Sequence, residues 1–172
     1  MRKLIWLFCA AALLVAAGAQ AISAPQSPSD PLANIRFLVG TWSCTSNMAA
    51  SGAEPARTVT GTLTISEGPD NGSLHETFVA PHYEWHGFLG YNPASKAFFS
   101  SGVDNYGNAD SEIGQNPSAT GITFVGTSTM QGRATQIRDN RSKLSDTKIR
   151  DVSEMLQGGT WRQTAQVECN KT

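Results

Sequence analysis

The chain has 172 residues, 13 basic against 14 acidic, for a formal net charge of −1. That balance disfavours a nucleic acid or an anionic membrane surface as the main partner. The length suits one ordinary domain with its own core, and no apolar run reaches the ~20 residues of a membrane-spanning helix.

The first elements concern targeting. Arg2 and Lys3 precede the apolar run 4-LIWLFCAAALLVAA-17, and Ala19-Gln20-Ala21 follows with small residues at both ends. This pattern predicts a secretory signal peptide over 1–21, with cleavage after Ala21 or, alternatively, after Ala24. Cys9 fits a lipoprotein signal poorly because bulky Phe8 stands before it. Residues 22–31 read as a Pro/Ser-rich flexible leader. The rest, 32–172, is expected to form a single domain in an exported protein, periplasmic or extracellular.

Asp30 and Pro31 then open a short helix or 3₁₀ turn that carries Leu32, Ile35, Phe37 and Leu38 and stops at Gly40. Everything beyond Gly40 reads as strand. Turn chemistry recurs at 51–55, 68–72, 80–81, 92–95, 105–108, 115–118, 130–132, 140–143 and 157–159, separating segments rich in Thr, Val, Ile, Phe and Trp. Val59, Leu63 and Ile65 alternate with Thr60, Thr62 and Thr64. In the last segment Trp161, Gln163, Ala165, Val167 and Cys169 share one face. The basic stretch 133–150 also alternates and reads as a solvated face. Evenly spaced short strands predict an all-β fold, an antiparallel sandwich or an up-and-down barrel.

Loss of Cys9 with the signal leaves Cys44 and Cys169, which are expected to pair in an oxidising compartment. The bond requires the first and last strands to meet. Closure of a barrel meets that requirement without further assumptions, so an up-and-down antiparallel barrel of about 8–10 strands is expected.

Gly40-Thr41-Trp42, placed directly after the short helix, resembles the G-x-W signature that opens the first strand of calycins, the lipocalin and fatty-acid-binding-protein superfamily. The resemblance implies a calycin-like barrel with a 3₁₀ plug under Trp42, covered by a basic side chain of the last strand, here Arg162. The segment 87-GFLGYNPASKAFFSSGVDNYGNADSEIG-114 is similar to a family of secreted or periplasmic bacterial domains of unknown function with a lipocalin-like barrel. Gly90-Tyr91-Asn92 and Asp104-Asn105-Tyr106-Gly107 carry that likeness. It implies fold and compartment, and no activity.

Two groups of residues are candidate sites. Trp42, Leu63, Ile65, Phe78, Tyr83, Trp85, Phe124 and Trp161 are expected on the interior, where they either line a ligand cavity or fill the core. His82, Glu84 and His86 would share one strand face, with imidazole and carboxylate suited to zinc or copper. In one hairpin register His75 faces His86 and joins them; in another it points away. Leu74, Phe78, Tyr83, Trp85 and Leu89 claim the core side, with Glu76 the exception among them. The histidines therefore read first as an outer face, and neither a metal nor any other cofactor is expected.

The leading expectation is a non-catalytic barrel, monomeric or weakly oligomeric, that binds a small apolar or amphipathic molecule. The alternatives are a barrel enzyme of isomerase, cyclase or hydrolase type, with an interior carboxylate or histidine as proton carrier, and a structural or interaction domain of the cell envelope with a filled core. No catalytic residue is assigned: the chain has no G-x-S-x-G and no phosphate-cradling loop.

Overall fold

A computed structural model describes residues 30–51, 55–69 and 72–172. The expected signal peptide and the leader up to residue 29 lie outside the described residues. Ten strands follow one 3₁₀ turn, Arg36–Leu38: β1 (Gly40–Met48), β2 (Arg57–Glu67), β3 (Ser73–Ala80), β4 (Tyr83–Asn92), β5 (Ala97–Asp104), β6 (Ala109–Ser118), β7 (Gly121–Met130), β8 (Arg133–Ser145), β9 (Lys148–Gln157) and β10 (Thr160–Lys171). Each pairs antiparallel with the next, and β1 also pairs with β10, which closes the barrel. Among the described residues no helix is long and apolar enough to cross a membrane.

The period-two pattern shows directly in burial. In β1, Trp42, Cys44 and Ser46 are buried while Thr41, Ser43 and Thr45 are exposed. The β-branched threonines suit the solvated side of a pleated strand, and the larger apolar residues turn inward. Cys44 and Cys169 are directly opposite in the β1–β10 ladder and form a disulfide that spans 125 residues of sequence.

One end of the barrel is packed solid. Leu32, Ile35 and Leu38 of the plug are buried against Trp42, Leu74, Leu89, Phe98, Ile122 and Phe124. The Asp30 carboxylate accepts from the Leu32 backbone N–H at 3.0 Å, and Arg36 ties the plug to Glu67 of β2. The Trp42 indole N–H donates to the Leu38 carbonyl at 2.8 Å. The side chain over Trp42 is Lys171, whose Nζ lies 5.1 Å from the ring centroid, and not the expected Arg162. An antiparallel β1–β10 pair sets the start of β1 beside the end of β10, so Trp42 pairs with Lys171, and Arg162 falls at the far end.

Two predicted turns are strand instead. Asn116 and Pro117 stay within β6 as an irregularity in its pairing with β7, with Asn116 at φ 50°. Pro cannot donate to a ladder and is accepted at such a break. Residues Asn140 to Lys143 continue β8, and the turn comes at Asp146–Thr147. Nor is the basic stretch wholly solvated, since Arg141 points inward with its side chain 11% exposed.

Breaking the disulfide removes the largest single constraint on the unfolded chain. The Cys44→Ser/Cys169→Ser variant is expected to lose about 4 kcal/mol of stability by the loop-entropy estimate. Urea unfolding of oxidised and variant protein, followed by tryptophan fluorescence, measures the difference. A loss under about 1 kcal/mol would refute the estimate.

Candidate functional site

Above the packed end the barrel is hollow. A cavity of about 630 Å³ opens at the far end, and its wall changes character around the circumference. Leu63 and Ile65 of β2, Phe78 of β3, Tyr83 and Trp85 of β4, and Val167 of β10 form an apolar side. Asp110 of β6, Asp139 and Arg141 of β8, and Asp151 and Ser153 of β9 give the wall its polar part, with Ile137, Ile149 and Met155 among them. Glu76 reaches into this polar side from β3.

Small residues create the room on the apolar side. The Trp85 indole lies flat across Gly87 and Gly102. A Cβ on Gly87 would stand 2.1 Å from the ring, and one on Gly102 2.3 Å from it. Any side chain there would drive the indole into the lumen. The same ring borders the acid side, because the Trp85 side chain and the Gly102 backbone lie against Asp110 and favour its charged form, though burial outweighs them.

The polar side is a buried charge cluster. Arg141 donates to a Glu76 carboxylate oxygen at 2.5 Å, and its Nε lies 3.2 Å from Asp151 Oδ2 without a well-directed hydrogen bond. Its guanidinium also stands over the Phe124 ring at 5.7 Å. Glu112 of β6 sits beside the cluster, only 3% exposed, with Oε1 unpartnered. Asp110 Oδ1 and Asp151 Oδ1 are likewise buried without a partner. Burial pushes the Glu112 carboxyl up to about 9, reinforced by Asp139 and the other acids despite Arg141. Burial raises Asp110 to about 6 and also raises Asp151, whose pairing with Arg141 only partly offsets it.

The mouth is laced by hairpin tips. Asp104 Oδ1 accepts from the Tyr106 and Asn108 backbone N–H groups, and Gly107 takes φ 80° at the turn. Asn105 Oδ1 accepts from the Glu84 N–H at 3.0 Å, and the Tyr106 hydroxyl donates to the His82 carbonyl at 2.6 Å. The Asp-Asn-Tyr-Gly motif thus fixes the β5–β6 tip against the β3–β4 tip.

The candidate residues divide three ways. Leu63, Ile65, Phe78, Tyr83 and Trp85 line the cavity. Trp42 and Phe124 are fully buried in the floor beneath it. Trp161 is outside: β10 bulges between Gln163 and Ala165, which reverses the faces, and Arg138 lies over the Trp161 ring at 4.7 Å. The histidines also separate. The β3–β4 turn is the two residues Pro81 and His82, with His82 at φ 65°. Pro at the first central position and positive φ at the second make this a workable tight turn despite its unusual sequence. His82 therefore leaves the strand. His75 pairs with Phe88 and its ring packs edge-on there at 4.2 Å, while His86 bonds Glu84 at 2.9 Å on the outer surface. Among the described residues no three His, Cys, Asp or Glu side chains are arranged to hold a metal ion.

Sequence reading missed Asp110, Glu112, Asp139, Arg141 and Asp151. The available signal was period two from an inward apolar residue: Ile137 leads to Asp139 and Arg141, and Ile149 leads to Asp151.

No protein-family model and no curated protein matches this chain. A solved structure described as a redesigned beta barrel is similar at 11% identity and TM-score 0.40, over 79% of this chain and 92% of that one. The barrel assignment rests on this chain's own strand pairing.

The buried acid sets the sign of the pH dependence. Glu112 has an ordinary value of 4.5 and a folded value of about 9, so between them the folded chain holds a proton that the unfolded chain releases. Its contribution is full below about pH 4.5 and is lost as pH rises through 9. Stability is therefore expected to fall from about pH 5 to about pH 9, a window above the titration of ordinary unfolded carboxylates. Glu112→Gln should flatten the slope and gain at least about 1 kcal/mol at about pH 8, measured by urea midpoints. A slope unchanged in the variant would show that Glu112 is not its source.

Proposed function

We propose that this barrel binds a small amphipathic molecule, without turning it over, in an exported protein with the calycin-like plan. The observation that carries the reading is the cavity of about 630 Å³, apolar on one side and charged on the other. Its volume falls within the range of small-molecule sites, which combine apolar walls with a few fixed polar groups. A closed floor and a hairpin-bounded mouth give such a ligand one way in. Binding rather than catalysis is supported by the character of the lining: His82 sits at the rim, and Cys169 is held in the disulfide. Export is supported by the signal pattern in the first residues together with the disulfide, which persists in oxidising compartments.

Uncharged decanol, titrated below its aggregation concentration, is expected to change the fluorescence of Trp85, with Trp85→Phe removing most of the signal. Ala165→Phe, which places a ring in the lumen, should weaken uptake about tenfold or more. Uptake unaffected by Ala165→Phe, followed by calorimetry, would exclude the cavity as the site.

A further inference from the structure

The charge of the ligand can be read from the polar wall. Glu76, Asp110, Asp139 and Asp151 line the cavity with Arg141, and Glu112 stands just behind them. The arginine is already engaged by Glu76 and Asp151. Its Nη1 is bonded to Glu76 and its Nε faces Asp151, and the six carboxylates of the lining outnumber the lining's three arginines, Arg57, Arg141 and Arg150. A fatty acid or other carboxylate ligand would add negative charge to a site that already holds an excess. A cation would do the opposite.

A second, independent feature points the same way. Asp110 Oδ1 and Asp151 Oδ1 are buried acceptors without a partner. Buried acceptors without donors are rare in native proteins and are costly to leave so. Asp110 sits against the Trp85 side chain and the Gly102 backbone, beside the apolar wall. A group that brings both positive charge and N–H donors satisfies what this wall lacks.

We infer that the ligand of this cavity is a cationic amphiphile, an apolar body on the β2–β4 side with an ammonium or amidinium head against Asp110 and Asp139. The inference rests on the binding role proposed above and specifies it. The head donates to Asp110 Oδ1, and the body covers Leu63, Ile65 and Phe78. Arg141, clamped between Glu76 and Asp151, holds the polar wall in place and leaves the head to the surplus carboxylates.

Decylamine, decanol and decanoate share one chain and differ in the head. Calorimetry of the full disulfide-bonded protein at about pH 7 is expected to rank them amine over alcohol over carboxylate, with the amine about tenfold tighter than the alcohol. The Asp110→Asn/Asp139→Asn variant should lose most of that preference while still binding decanol, which also shows that it is folded. Glu84→Gln, on the outer surface, should leave the preference intact. Decanol bound as tightly as decylamine, or a preference that survives the double variant, would overturn the cationic head and leave the binding role standing. No uptake of any of the three would overturn the binding role itself, and the inference with it.

Discussion

Closure is the constraint on which the rest depends. A ten-strand antiparallel sheet left open would expose the donors and acceptors of β1 and β10, and their pairing removes both edges. That pairing brings Cys44 opposite Cys169, sets Lys171 over Trp42, and fixes which end of the barrel the plug can fill. The plug then decides where the cavity is. Leu32, Ile35 and Leu38 occupy the end at which β1 begins, so the packed floor forms there, and the lumen stays open toward the β3–β4 and β5–β6 tips.

Within the lumen, asymmetry comes from residue size and charge in adjoining strands. Gly87 and Gly102 let the Trp85 indole lie against the wall and not across the lumen. The indole in turn lies beside Asp110, so the aromatic side and the acidic side adjoin. The tight β3–β4 turn serves this arrangement: Pro81 and His82 complete it, and Tyr106 and Asn105 hold the His82 carbonyl, which keeps Tyr83 and Trp85 in register on the inner face.

The fold was legible because its signals are local and periodic. Turn residues between Thr- and Val-rich segments marked ten strands, Gly40-Thr41-Trp42 marked the start of the barrel, and the two cysteines implied closure. The parity of β3 and β4 was also legible: Tyr83 and Trp85 face inward, and His75 and His86 face outward. Registers were harder. The β3–β4 pairing lies two residues from the one that would have joined His75 to His86, because His82 tolerates positive φ in place of glycine. The Gln163/Ala165 bulge, invisible in the alternation of β10, carried Trp161 to the outside. The acidic wall was hidden for a different reason. Its members come one or two to a strand, in strands that read as ordinary on both faces, and only the curvature of the sheet makes them neighbours.

The buried cluster argues for function over stability. A buried ion pair such as Arg141 with Glu76 is at best a modest source of folding energy, and well-packed apolar residues often do as well. Placing Glu112, Asp110 and Asp151 beside it adds desolvated acceptors that destabilise the fold. The floor of the same barrel shows that this chain builds a dry apolar core where structure alone is needed, with Trp42, Leu74, Leu89 and Phe124 fully buried. The disulfide and the closed sheet supply stability that the upper half does not. Departure from the rules of a well-packed core, confined to one wall of one cavity and supported on every side, is the pattern expected where a site has been kept at the expense of stability.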